Sequence, residues 1–264
     1  MPLDVSHFTM VGFAIDTRDQ AAFIRTAESY AANCTPTPIA DSDVLCLMKD
    51  PSGAELRIGI RRDAAGRGEI RDMDPAFSGS GRTVVSIVAD LSDPAEKPFE
   101  FTVSARFDGE ETPLVFDIAN PLEHEDFRPG TKLTVNLSAF SYQPTVFKDE
   151  AAYYQAQTGG AKFASTFFIP TGMFFEKTGG AMPDGAARPV AYADFAGKVI
   201  KSELRTNAIG KGQFWWALVE TYKGSTVDVV MDPSSVKSDP IPGSFIAGRF
   251  WLTARLSQAT DPSP

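Results

Sequence analysis

The sequence predicts an α+β unit followed by a small all-β barrel, and three observations carry that prediction. A strand, a helix, a strand and a hairpin open the chain; alternating apolar and polar residues fill its middle; its final quarter holds strands with little helix. With 264 residues, 43% hydrophobic and 22% charged, the chain is long enough for one large or two ordinary domains and too apolar for wholesale disorder.

Residues 7–15 form an apolar run of strand length. Asp16 and Thr17 stand where a helix over residues 18–32 needs a cap, and Phe23, Ala27 and Tyr30 recur on one face of it. Pro36 and Pro38 stop that helix. Strands follow at 44–48 and 54–60, joined by the turn Asp50-Pro-Ser-Gly53. Residues 61–81 are polar and rich in Gly and Arg, and read as a connection. Strands are then expected at 83–89, 99–107, 113–118 and 132–142, a short helix at 149–157 and an aromatic packing segment at 163–175. Residues 177–188, with their Gly and Ala, read as a linker.

Beyond the linker, strands are expected at 190–204, 213–221, 225–231 and 244–256. Gly197 and Gly248 sit where strongly coiled strands leave no room for a side chain, so this segment describes an OB-like barrel. The predicted domains are 1–180, with a helix on a mixed or antiparallel sheet, and 185–258, the OB-like β-barrel. Residues 257–264 read as a frayed tail, and no sequence repeat is visible. Charge breaks at the same place. Residues 1–184 hold 16 Lys+Arg against 27 Asp+Glu, and residues 185–264 hold 9 against 7.

An acidic chain of net charge −9 repels phosphate backbones, so nucleic-acid binding by the whole chain is not expected. No apolar run reaches the roughly 20 residues that cross a bilayer, and the first residues lack the pattern of a secretory signal. A cytoplasmic location is the expectation. There, Cys34 and Cys46, which lack CxxC spacing, are expected to be reduced and buried.

The stretches Phe195-Ala-Gly-Lys-Val199, Phe214-Trp-Trp-Ala-Leu-Val-Glu-Thr221, Val227-Asp-Val-Val-Met-Asp-Pro233 and Gly248-Arg-Phe-Trp-Leu252 resemble a family of uncharacterised bacterial two-domain proteins with an OB-like C-terminal domain. That resemblance implies architecture and carries no activity. The first 60 residues, with His7 on the opening strand and Asp50-Pro-Ser-Gly-Ala-Glu55-Leu, are similar to a half-module of the vicinal-oxygen-chelate (glyoxalase-like) superfamily. This second resemblance implies a divalent metal held by His7 and Glu55. Two ligands leave most of a metal shell to other donors, and no second strand–helix–strand unit with His and Glu follows.

Other candidates are sparse. His124 lies among Glu123, Glu125 and Asp126 and reads as a solvated acidic turn, and two histidines exclude a three-His zinc site. Ser78-Gly-Ser-Gly81 lacks the strand–turn–helix of a nucleophile elbow, and no phosphate-cradling Gly motif occurs. Trp215 and Trp216 are adjacent on a strand and must point to opposite faces. Large rings of this kind gain roughly 1.5–3 kcal/mol each from burial, so Trp215, Trp216 and Trp251 are expected to meet another protein surface, the other domain or a second copy of the chain. The expected function is a non-catalytic binding or interaction module without a cofactor. The alternatives are a metal-dependent glyoxalase-like enzyme using His7 and Glu55, and single-strand binding through the barrel aromatics with Lys198, Lys201, Arg205, Lys211 and Arg249.

Overall fold

A computed structural model describes residues 5–40, 42–94, 98–111, 113–120, 128–141, 143–159, 162–171 and 189–256. His124, the expected linker, part of the 163–175 segment and the tail lie outside them. The described chain is mostly β, with two α-helices, a four-stranded sheet and a closed barrel.

The opening run is not a strand. Ser6 and Thr9 satisfy each other, with Ser6 N–H donating to Thr9 Oγ1 at 3.0 Å and Thr9 N–H to Ser6 Oγ at 3.3 Å. These local bonds coil Thr9–Val11 into a 3₁₀ turn, which Gly12 ends at φ 76°. Met10, Val11 and Phe13 are fully buried, so the apolar run is a plug rather than a sheet edge. Helix α1 (Gln20–Ala32) is capped by Asp19, whose carboxylate accepts from Ala22 N–H at 3.0 Å. Asp16, the expected cap, is occupied by Arg18.

Strands β1 (Pro36–Pro38), β2 (Asp43–Lys49), β3 (Ala54–Arg62) and β4 (Gly68–Phe77) pair antiparallel in that order. β4 occupies most of the expected connection. Its charged face and internal Pro75 hide a strand that buries Met73, Ala76 and Phe77. Pairing of Pro36 with Cys46 brings the end of α1 onto β2, and Cys34 and Cys46 form a disulfide with Cα atoms 5.8 Å apart. This corrects the expectation of two reduced thiols.

The remaining strands are β5 (Thr83–Asp90), β6 (Thr102–Phe107), β7 (Pro113–Ile118), β8 (Lys132–Phe140), β9 (Thr145–Phe147), β10 (Phe167–Pro170), β11 (Tyr192–Thr206), β12 (Gln213–Glu220), β13 (Thr226–Met231) and β14 (Phe245–Leu256), with α2 (Glu150–Ala156) between β9 and β10. Eight of them close a barrel in the order β11, β12, β13, β8, β5, β6, β7, β14 and back to β11. Residues 185–258 therefore do not close a barrel on their own strands: β8, from the front half, runs parallel to β13 and completes it.

β8 and β14 also pair across the barrel, Thr253 opposite Ser138, and pinch it into two five-stranded rings that share them. The rings repeat one pattern. In each, an antiparallel meander ends in a strand that runs parallel to a shared one, Asp117 beside Thr253 in the first and Asp228 beside Ser138 in the second. Thr83 faces Val135 as Ala193 faces Phe250, and Thr102 faces Asp117 as Leu218 faces Asp228. Since Thr253 and Ser138 face each other, a pseudo-twofold axis passes between them. The repeat lies in register and topology, which a search for similar residues does not reach.

One core fills the two rings, with Phe116, Phe195 and Phe250 among its fully buried members. A second lies between the barrel wall and the four-stranded sheet, α1 and the 3₁₀ plug. Among the described residues no helix is long and apolar enough to cross a membrane.

Candidate functional site

The second core contains a charged seam. Arg57 on β3 is 5% exposed, and its Nη2 donates to Asp74 at 2.9 Å and Asp72 at 3.3 Å across the sheet. Its Nη1 donates to the Ile118 carbonyl at 2.9 Å, tying the small sheet to β7 of the barrel. Burial opposes the Arg57 charge, but Asp74 and Asp72 outweigh it and hold the guanidinium pKa above its ordinary value. Such a buried ion is tolerated only with partners on each side.

Two carboxylates here are raised as well, which for an acid favours the neutral form. Burial, and then the charge of Asp74, push Asp72 up to about 7 against the pull of Arg57. Asp117 on β7 is raised by burial, with Asp74 adding to it, while hydrogen bonds from Thr102 and Trp251 act in the opposite direction. Thr102 Oγ1 donates to Asp117 Oδ1 at 2.5 Å and Trp251 Nε1 to its Oδ2 at 2.6 Å. Tyr192 is raised as well, by burial first and then by Asp117.

All of these side chains but Asp72 border a cleft of about 390 Å³ at the junction of sheet and barrel. Arg57, Asp74 and Asp117 lie along it; Phe101, Tyr192 and Trp251 supply aromatic wall. An adjoining cavity of about 20 Å³ shares Arg57, Asp74, Asp117 and Trp251 with the cleft and adds Thr253. Arg57 Nε and Thr253 Oγ1 are buried there without a hydrogen-bond partner among the described residues. A buried polar atom left unpaired costs about 1–3 kcal/mol, so these two mark a place built for a further polar group.

The expected site residues are dispersed. His7 stacks on Trp251 with ring centroids 4.4 Å apart and lines a separate hollow with Phe8, Phe23 and Asp74. Burial lowers its pKa to about 4, with Asp74 opposing. Glu55 is 3% exposed and accepts from Arg255 Nη1 at 2.6 Å. His7 thus packs on Trp251 and Phe140 while Glu55 holds Arg255, and no group of three or more His, Cys, Asp or Glu among the described residues is placed to hold a metal.

Two of the three tryptophans are buried by their own chain. Trp216 is buried, donates to Asp228 Oδ1 at 2.7 Å and carries the Arg205 guanidinium 4.0 Å over its ring. Trp251 is buried between His7, Phe140 and the cleft. Trp215 is half-buried and packs on the barrel core. Burial is what the ring sizes required; the neighbour that supplies it is the rest of this chain.

Sequence reasoning passed over Arg57, Asp72, Asp74 and Asp117. The signal was a charge inside an otherwise apolar strand: Arg57 between Leu56 and Ile58, and Asp117 between Phe116 and Ile118. No family model matches the chain, and no curated protein matches it.

Proposed function

We propose that the chain is a non-catalytic binding protein that takes a small molecule into the cleft at Asp117. The observation that carries this reading is the convergence of Arg57, Asp74 and Asp117 with three aromatic side chains on one recess of about 390 Å³, within the size range of small-molecule sites. Aromatic walls supply apolar contact, and the charged groups fix orientation. The Asp117 carboxylate is already held by Thr102 and Trp251, so it binds without first having to be ordered.

Each five-stranded ring has the meander and the parallel closing strand of an OB-like barrel, which supports reading the molecule as two such barrels sharing β8 and β14. The Cys34–Cys46 bridge favours an oxidising compartment over the cytoplasm that the sequence suggested. The tryptophans, being covered, give less support to a protein-docking face than the cleft gives to a small ligand.

Thermal unfolding with a panel of small polar and aromatic compounds tests this reading, run on the wild type and on Val190→Trp. Val190 lines the cleft and is 54% exposed, so a ring there fills the recess without disturbing the core. Compounds that raise the midpoint of the wild type and not of the variant support the site. Compounds that stabilise both equally, or none that stabilises either, contradict it.

A further inference from the structure

The pseudo-twofold pairs the cleft with a second place that the chain itself fills. Asp228 is the counterpart of Asp117 and is fully buried. Two residues before Ser138 stands Asn136, and two before Thr253 stands Trp251. Each donates a side-chain N–H to its Asp, Asn136 Nδ2 to Asp228 Oδ2 and Trp251 Nε1 to Asp117 Oδ2. Ser138 Oγ donates to the Phe77 carbonyl, whereas the matching Thr253 Oγ1 has no partner among the described residues.

What differs is the segment lying across each Asp. The chain entering β5 lays the N–H groups of Ser80 and Gly81 on Asp228, at 3.2 and 2.8 Å. Trp216 Nε1 and Asn136 Nδ2 complete a set of four donors. The segment entering β11 at the matching register is Pro189-Val190-Ala191, which lines the wall of the cleft. Val190 and Ala191 stand at the positions of Ser80 and Gly81, and neither donates its N–H to Asp117. Among the described residues Asp117 accepts from two donors, Thr102 and Trp251, where Asp228 accepts from four.

We infer that the cleft takes a ligand carrying a planar pair of N–H donors, an amidinium or guanidinium group, which docks on Asp117 where Ser80 and Gly81 dock on Asp228. This rests on the cleft being a binding site and names what enters it. A cation is favoured over a neutral amide because Asp74, although paired with Arg57, adds a second carboxylate to the recess beside Asp117. The orphaned Arg57 Nε and Thr253 Oγ1 at the floor offer hydrogen bonds to a polar substituent on the same ligand.

The test is calorimetric titration of the intact protein with benzamidine, benzamide and benzoate, three probes of one shape that differ in donors and charge. Benzamidine is expected to bind at least about tenfold more tightly than benzamide, and benzoate more weakly than either. Asp117→Asn is expected to remove most of that preference, and Val190→Trp to abolish binding of all three. If Asp117→Asn does not fold, Val190→Trp still locates the site. A benzamidine preference that survives Val190→Trp overturns the inference. Equal binding of the three probes, blocked by Val190→Trp, overturns the inference and leaves the cleft as a binding site. If no probe binds and the compound panel stabilises nothing, both fail.

Discussion

Asp72 and His7 are the residues whose protonation the fold perturbs most visibly, and their effects on stability oppose each other. The folded-state pKa of Asp72 is raised from 3.8 to about 7, so between those values the native state binds more protons than the unfolded chain, and stability falls as pH rises. The pKa of His7 is lowered from 6.5 to about 4, so the unfolded chain binds more protons over that range, and stability rises with pH. Asp72→Asn removes the first effect. We predict that it raises stability at pH 8 by about 1–3 kcal/mol and exposes the His7 slope between pH 4 and 6.5, as read by urea unfolding across pH. A profile identical to the wild type would contradict the placement of Asp72 beside Asp74. None of this was legible in the sequence. Asp72 and Asp74 alternate in a charged stretch that reads as a loop, and only pairing with β3 shows that Arg57 lies between them.

Among the elements, two short segments do more than connect. The approach to β5 is pressed against Asp228: a Cβ at Gly79 would land on that carboxylate, and two of the four donors of Asp228 come from the same turn. Gly79→Ala is therefore expected to cost about 1–3 kcal/mol, measured by denaturant midpoint. A neutral result would mean that Asp228 does not hold this turn. The Cys34–Cys46 bridge closes a sequence separation of 12 residues between α1 and β2. For a loop of that size the chain-entropy estimate is about 3 kcal/mol, and the Cys34→Ala/Cys46→Ala double variant should lose up to that amount. A stability unchanged by reductant would argue against the bridge. Strand positions from β5 to β8 and from β11 to β14 were legible because each is an apolar run bounded by Gly, Pro or Asp. β4 and the 3₁₀ plug were not. Charge masked the strand, and the side-chain bonds between Ser6 and Thr9 turned an apolar run into a coil.

For the whole molecule, the barrel was legible and its closure was not. Four strands of the final segment were predicted as a barrel of their own, yet β8 pairs with both β13 and β14, so closure depends on residues 90 or more positions apart in the chain. Register across such distances is set by packing of both halves into one core, which local patterning does not encode. The same arrangement places two of the tryptophans inside the chain's own packing. The rings of Trp216 and Trp251 are covered by sheet, plug and barrel, and the recess at Asp117 lies where the second copy of the motif departs from the first. The proposed function rests on that asymmetry. One Asp of the pair is filled by the chain; the other meets the cleft.

The most direct check follows the three tryptophan indole N–H signals by NMR while benzamidine is added to the wild-type protein. Trp251 Nε1 rests on Asp117, and Trp216 Nε1 on Asp228. The account predicts that the Trp251 signal moves to saturation while those of Trp215 and Trp216 stay in place. Saturable binding that leaves Trp251 unmoved, or that moves Trp216 instead, would contradict it.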